Sequence, residues 1–222
     1  VELQIAGERM HLLGERALHW PARSRVLIAD LHLGKADVFR RAGIGLPSGG
    51  TEHDLQRLGR LLGDTQAREL WILGDVLHGP APQAAWREHW NQWRSQRAEV
   101  RMVALAGNHD RALFQAGLDI ELAGESVEDA PFALRHDPRA HPRLHVICGH
   151  VHPLAELPGL RRRWPAFWLR ENITLLPAFS HFTAGVAPAL SPGEQLIACI
   201  EGETIALPKR TSPSRERRQS RP

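Results

Sequence analysis

Cysteine occurs only twice in the 222 residues, at Cys148 and Cys199, and both positions lie in apolar, strand-like surroundings. A disulfide-dense secreted scaffold needs more, so the pair reads as buried free thiols in a reducing compartment rather than as a bridge. No apolar run approaches the ~18 residues of a transmembrane helix, and no membrane span is expected. Val1-Glu2-Leu3-Gln4-Ile5 lacks the basic-then-apolar order of a signal peptide, so the expected location is cytoplasmic. Neither an internal repeat nor a linker divides the chain. Its length is sufficient for a sizeable core, and one domain over residues 1–207 is expected.

Charge of one sign is also scarce, except at the end. The net charge is +3, but from Lys209 onward six basic residues face the single acid Glu216. The tail therefore carries +5 and the remainder −2. Ser, Pro and Arg dominate residues 208–222, which are expected to be disordered. Such a tail serves either to hold nucleic acid nonspecifically or simply as a solubilising end.

Against this, apolar runs that end in polar residues are frequent. Arg25 to Asp30 and Leu70 to Asp75 read as buried strands ending in a carboxylate, and Val100 to Leu105 as a third. Leu3 to Ile5 and Met10 to Leu13 read as edge strands. Helices are predicted over Ala36 to Arg41, from Thr51 with Leu55, Leu58, Leu61 and Leu62 at helical spacing, after Pro80 and Pro82, and over Asn108 to Ala116. Trp86, Trp90 and Trp93 form a stripe at i, i+4 and i+7. It reads as core packing, with a dimer face or a platform for stacked bases as the alternatives. After Gly117 short strands follow one another: Val127 to Asp129, Phe132 to Arg135, Leu144 to Cys148, Trp168 to Leu176, Leu196 to Ile200 and Glu203 to Leu207. Alternating β and α followed by consecutive strands predicts an α/β sandwich, two central mixed sheets flanked by helices.

Five polar clusters stand where these apolar runs end. They are Asp30-Leu31-His32, Gly74-Asp75, Gly107-Asn108-His109-Asp110, His136-Asp137-Pro138 and Gly149-His150-Val151-His152. Carboxylate, imidazole and one amide, with no thiolate, suit Mn²⁺, Fe or Zn²⁺ in high coordination rather than a structural zinc site. The 13 histidines agree with metal binding, although scattered surface histidines would give the same count. In Asp-x-His and His-x-His both polar side chains can reach one metal cluster while the apolar residue between them anchors the backbone. Each motif alone is common; five in order are not.

In that order the motifs resemble the calcineurin-like metallophosphoesterase superfamily over roughly Val26 to Pro153. The resemblance implies one metal held by Asp30, His32, Asp75 and His152. A second would be held by Asp75, Asn108, His136 and His150, with Asp75 bridging. His136 is preferred to His141 and His145 because Asp137-Pro138 follows it. Two divalent cations would activate a water for in-line attack on phosphorus. His109, beside the metals without ligating them, would be catalytic, donating a hydrogen bond to the phosphate or a proton to the leaving oxygen. Asp110 would orient that ring or stabilise a helix start. Lys35 and Arg111 are candidates for substrate phosphate contact.

Finer features include Ala29 to Lys35, Phe39 to Gly43, Leu73 to His78, Ile147 to Pro153, and Leu176-Pro177-Ala178-Phe179 with Thr183 and Gly185. These resemble the bacterial ligase-associated DNA damage response endonucleases, the PdeM branch. The chain departs from that branch at Ser180-His181, where a Gly and an apolar residue are more usual. The branch implies a manganese-dependent endonuclease for single-stranded DNA, repair partners (DNA ligase, exonuclease, helicase) and a homodimer through the Trp86 to Trp93 or Leu55 to Leu62 helix. Arg161-Arg162-Arg163-Trp164 is either a strand grip with a stacked base or an exposed loop. The alternatives are a phosphodiesterase or pyrophosphatase of a small nucleotide-like substrate, and a non-catalytic protein-binding scaffold.

Overall fold

Alternation with period two decides how the central strands are used. In β4 (Arg25–Ile28), β5 (Glu69–Leu73) and β6 (Arg101–Leu105), Val26, Ile28, Leu70, Ile72, Met102 and Ala104 join the helices in one core. The intervening Leu27, Trp71, Leu73, Val103 and Leu105 join a second core against another sheet. A strand buried on both faces reads as a continuous apolar run. The computed structural model describes residues 1–41, 43–45, 49–78, 86–108, 110, 113, 116–181 and 183–211.

The first sheet runs in chain order through β1 (Glu2–Ile5), β2 (Glu8–Leu13), β3 (Ala17–Trp20), β4, β5, β6 and β7 (Glu121–Leu122). Its first pairings are antiparallel, and those from β4 to β7 are parallel. The parallel crossovers carry α1 (Lys35–Arg41), α2 (Gly50–Thr65) and α3 (Trp86–Ser95). The second sheet uses β8 (Ser126–Asp129), β9 (Phe132–Arg135), β10 (His145–Cys148), β11 (Leu154–Glu156), β12 (Arg163–Leu169), β13 (Ile173–Leu175), β14 (Gln195–Ile200) and β15 (Glu203–Ala206). Its order is β15-β14-β12-β13-β10-β9-β8, with β11 added on β12, and β9, β10 and β13 run parallel. The expected two-sheet sandwich is present, with α2 and α3 packed on the outer face of the first sheet.

The strip between the sheets holds Trp20, Leu27, Leu134, Ile147, Phe167 and Ile197, all fully buried or nearly so. At the amino-terminal end of the central strands Arg25 reaches across the gap. It bonds Glu69 of its own sheet at 2.7 Å and Asp129 of the other at 2.8 Å. Cys148 and Cys199 are free and buried.

Several expectations need correction. Ala17–Trp20 forms a strand where none was predicted. The single strand expected over Trp168 to Leu176 is a hairpin, β12 and β13, turned at residues 170–172, with Arg170 N–H donating to Ile173 O at 2.9 Å. The Trp stripe is core: Trp86, Trp90 and Trp93 are buried, and so are Leu55, Leu58, Leu61 and Leu62 of α2. These apolar faces are therefore not available as a dimer contact or a stacking platform. Past Leu207 the backbone stays paired, Arg210 N–H donating to Glu194 O at 3.1 Å. Residues 212–222, Pro80, Pro82 and most of the helix expected over Asn108 to Ala116 lie outside the described residues.

Trp90 fills the centre of the α3 interface, with its indole N–H donating to Leu118 O at 2.9 Å. Replacing it by Ala leaves a large cavity and an unpaired carbonyl. We expect a loss of about 3–5 kcal/mol in urea unfolding; a loss below about 1 kcal/mol would show that α3 does not depend on this packing.

Candidate metal centre

Every expected ligand sits just beyond the carboxyl end of a strand. Asp30 and His32 follow β4, Asp75 follows β5, Asn108 follows β6, His136 follows β9, and His150 and His152 follow β10. Open parallel sheets present ligand sites at that edge, and here two such edges face each other. The loops do not splay apart where the strands end. Asp30 N–H donates to Gly74 O, His32 N–H to Asp75 O and Leu33 N–H to Val76 O, at 2.8–3.2 Å. Phe179 and Ser180 N–H then donate to the carbonyls of Ala29 and Asp30 on the other side.

Five of the seven ligand residues have positive φ: Asp30 (56°), His32 (49°), Asp75 (48°), His150 (69°) and His152 (51°). The left-handed region costs a non-glycine residue about 1–2 kcal/mol. Its concentration here means that the surrounding pairing over-determines the backbone. In both x-containing motifs the polar residues take this conformation and the apolar one anchors, Leu31 buried and Val151 half-buried. Two glycines make the approach possible. A Cβ at Gly107 would lie 2.2 Å from Asp75 N and 2.3 Å from its Oδ1, and one at Gly149 would lie 2.6 Å from Asp30 Oδ2.

The donors converge as two trios whose ligand atoms all lie within 4.8 Å of one another. One is Asp30, His32 and His152; the other is Asp30, Asp75 and His136. Asp30 belongs to both trios, and Asp75, the residue expected between the two metals, lies in the second beside Asp30 and His136. His136 Nε2 lies 3.5 Å from Asp75 Oδ2 and 3.1 Å from His150 Nδ1, and Asn108 Nδ2 lies 3.3 Å from the same His150 nitrogen. All seven residues belong to one connected cluster. His141 instead lies beside Glu128, and His145 contacts the Thr174 hydroxyl, so neither competes with His136.

Proton placement decides whether this cluster fits a metal. His136 Nδ1 donates to Leu73 O and His152 Nδ1 to Ala184 O, each at 2.9 Å. A carbonyl only accepts, so both rings carry their proton on Nδ1 and turn Nε2 towards carboxylates. His152 Nε2 stands 3.1 Å from Asp30 Oδ1, yet both atoms are buried and lack an aligned hydrogen bond among the described residues. A lone pair facing a carboxylate oxygen is repulsive unless a second proton or a cation lies between them. The donor set therefore fits divalent metal.

Two further side chains matter. Lys35 is buried, and burial pushes its ammonium below the ordinary lysine value, while Asp30 and Asp75 pull it back up. Asp110 Oδ1 accepts Leu77 N–H and its Oδ2 accepts Gly107 N–H, both at 3.0 Å. Its carboxylate is given to the backbone, tying the second motif to the third. Burial raises its pKa, and those backbone donors work against the rise. Asp110 is thus a brace between the two motifs, and the role expected of it towards the His109 ring falls outside the described residues. His109 and Arg111 lie outside the described residues.

A family model described as calcineurin-like phosphoesterase matches residues 25–185. The chain belongs to this family. It is a metallophosphoesterase, a class of divalent-metal phosphoester hydrolases. Among solved structures, the nuclease MPE of Pseudomonas putida is 37% identical, covers 93% of this chain and 99% of its own, and superposes with a TM-score of 0.81. A phosphoesterase from E. coli, Yfce, is 18% identical over 82% of this chain and 96% of its own, with a TM-score of 0.47. A search of curated proteins gave no match. None of the described helices is long and apolar enough to cross a membrane.

Gly107→Ala tests the close approach, because its Cβ must displace Asp75. The purified variant should retain less divalent metal by elemental analysis and lose at least about tenfold in phosphoester hydrolysis. Gly63→Ala, where a Cβ meets nothing within 4 Å, should change neither and should stabilise slightly. Normal metal content in Gly107→Ala would show that Asp75 does not need this contact.

Proposed function

We propose that this metallophosphoesterase is a two-metal phosphodiesterase that cuts single-stranded DNA internally and acts in DNA repair. The observation that carries the reading is the convergence of seven hard-to-borderline donors from two sheets on one edge. Likeness over nearly the full chain to a nuclease supports the choice of a nucleic acid over small phosphodiesters.

Asp30, His32, Asp75 and His152 would hold one ion, and Asp75, Asn108, His136 and His150 the other, with Asp75 common to both sets. Oxygen and imidazole donors favour Mn²⁺, with Fe or Zn²⁺ as substitutes. When bound, such ions acidify water and offset charge on phosphoryl oxygens. The chain's own residues do the rest. The tethers from His136 and His152 Nδ1 to carbonyls fix the direction of each Nε2. Lys35, close enough to feel both carboxylates, would contact a phosphate oxygen. His109 is assigned the proton for the leaving oxygen and Arg111 a phosphate contact. Repair partners, pairing of two chains and a cytoplasmic location remain part of the same proposal, and the free buried thiols agree with the last.

A circular single-stranded DNA with Mn²⁺ provides the test, since a circle has no ends. The wild-type protein should linearise it, and His109→Ala and Asp75→Ala should each lose at least about a hundredfold in rate. If the circle survives while a small diester is hydrolysed, the metal centre stands and the substrate is a small nucleotide-like phosphodiester or pyrophosphate. If neither is cut, the scaffold reading replaces the enzyme.

A further inference from the structure

Two sequence features left unused by the metal centre meet in one place. Arg162 and Trp164 of the basic-aromatic run and the unusual His181 line a common cleft of about 410 Å³, together with Arg16, Arg57 and Arg60. His53 lies on the same wall, its ring 4.8 Å from that of His181. The back of this cleft is the segment that supports Asp30. Ser180 N–H donates to Asp30 O, while Arg16 Nη1 donates to Ser180 O at 3.0 Å and Arg57 Nη2 to Phe179 O. On its far side the same segment receives His152 Nδ1 at Ala184 O. Cleft and metal centre are two faces of one wall.

We infer that this cleft binds a flanking nucleotide of a single-stranded polynucleotide substrate, taking its phosphate with the guanidiniums of Arg16 and Arg162 and the imidazole of His181. This rests on the reading of the protein as a DNA phosphodiesterase and adds where the strand lies beyond the scissile bond.

Four guanidiniums, those of Arg16, Arg57, Arg60 and Arg162, line the cleft. Glu15, Asp64 and Glu201 also line the cleft, and Asp54 pairs with Arg57 at 3.2 Å. Yet His181 is driven down to about 3, first by burial and then by Arg57, Arg16, His53 and Arg162, all pushing the same way. The imidazole is therefore neutral. Its Nδ1 lies 3.4 Å from Arg16 Nη2 and accepts from that guanidinium, so the proton sits on Nε2 as a donor. Arg57 is more than nine-tenths buried, and its Nε has no hydrogen-bond partner among the described residues. Arg162 lies with its guanidinium carbon 4.0 Å from the centre of the Trp164 ring. Such a cation–π pair offers a flat surface on which a base of any sequence can stack.

A cation site is the competing use of the same residues, because ligand atoms of His53, Asp54 and His181 also lie within 4.8 Å of one another. Arg57 already occupies Asp54 and Arg16 already faces His181. A dication would have to displace both among the guanidiniums that line the cleft.

The test uses the full chain loaded with Mn²⁺ and two substrates, a single-stranded oligonucleotide and bis(p-nitrophenyl) phosphate, which is too small to bridge centre and cleft. Arg162 is exposed, so Arg162→Ala should fold normally. Its preference for the oligonucleotide over the small diester should fall about tenfold, through KM rather than kcat. The slope of log binding constant against log salt should become shallower by about 0.7. Arg162→Lys should restore most of the slope, and His181→Ala should lower the preference without changing the metal content. Equal losses on both substrates, or none on either, would overturn the subsite. Loss of one metal equivalent in His181→Ala would reassign the trio to a cation. If the wild-type protein hydrolyses the small diester but neither binds nor cuts the oligonucleotide, the DNA reading fails and the subsite falls with it. If the wild type cuts DNA and the variants match it, only the subsite fails.

Discussion

Two carboxylates buried side by side impose the constraint from which the rest of the architecture follows. Asp30 and Asp75 are almost wholly removed from solvent, and their oxygens lie within 4.8 Å of each other and of His136. At an effective dielectric of about 20, two like charges 4 Å apart repel by about 4 kcal/mol. Lys35 supplies one positive charge that both carboxylates feel. His136 and His152 turn Nε2 towards these carboxylates while carbonyls hold their Nδ1 protons, so each Nε2 needs either a second proton or a cation facing the carboxylate. A divalent metal answers both requirements, meeting the carboxylates with charge and the Nε2 lone pairs with an acceptor orbital.

Holding the ligands there has a backbone cost. Five of them adopt left-handed φ values, about 5–10 kcal/mol in all if each costs 1–2. That is comparable to the net stability of a whole domain, so it must be offset locally. The offset comes from continued pairing: the loop after β4 is bonded on one side to the loop after β5, on the other to residues 179 and 180. Asp110 then links the second and third motifs through two backbone N–H groups. None of these bonds belongs to a regular strand, yet together they extend the sheet beyond its strands and fix the ligands rigidly.

The sequence made the central strands and the ligands legible for the same reason. A strand buried on both faces is a continuous apolar run, and a polar residue that ends such a run must be satisfied by something, so Val26 to Asp30 and Leu70 to Asp75 announce themselves. What depended on distant partners was illegible. Ala17–Trp20 is interrupted by the half-buried His19 and resembles a loop until it pairs with β2 and β4. The β12–β13 turn at Arg170, Glu171 and Asn172 contains no Gly or Pro to mark it. Asp110 looked like a partner for His109 because they are neighbours in sequence. Among the described residues its partners are the backbone N–H groups of the nearby Gly107 and of Leu77, and only folding brings Leu77 within reach. The cleft at His181 likewise draws Arg16, His53 and Arg57 of α2, and Arg162 from three separate stretches, and no local pattern could have joined them.

Division of the ligands between the sheets ties the centre to the stability of the sandwich itself. Asp30, His32, Asp75 and Asn108 extend from the first sheet, and His136, His150 and His152 from the second. At the opposite end of the strands Arg25 spans the same gap to Asp129, and between the two lie Leu27, Leu73, Leu105, Leu134 and Ile147. Apolar packing in that strip is non-directional and sets the sheets face to face without fixing their slide. The ionic contact at one end and the ligand cluster at the other are directional, and they determine register. Binding that exists only in the folded state adds its free energy to folding, so a metal held between the sheets joins them as well as serving chemistry. Catalytic geometry and the alignment of the two sheets are then one requirement, which explains why a site so costly in backbone strain is placed at the seam rather than on a single sheet.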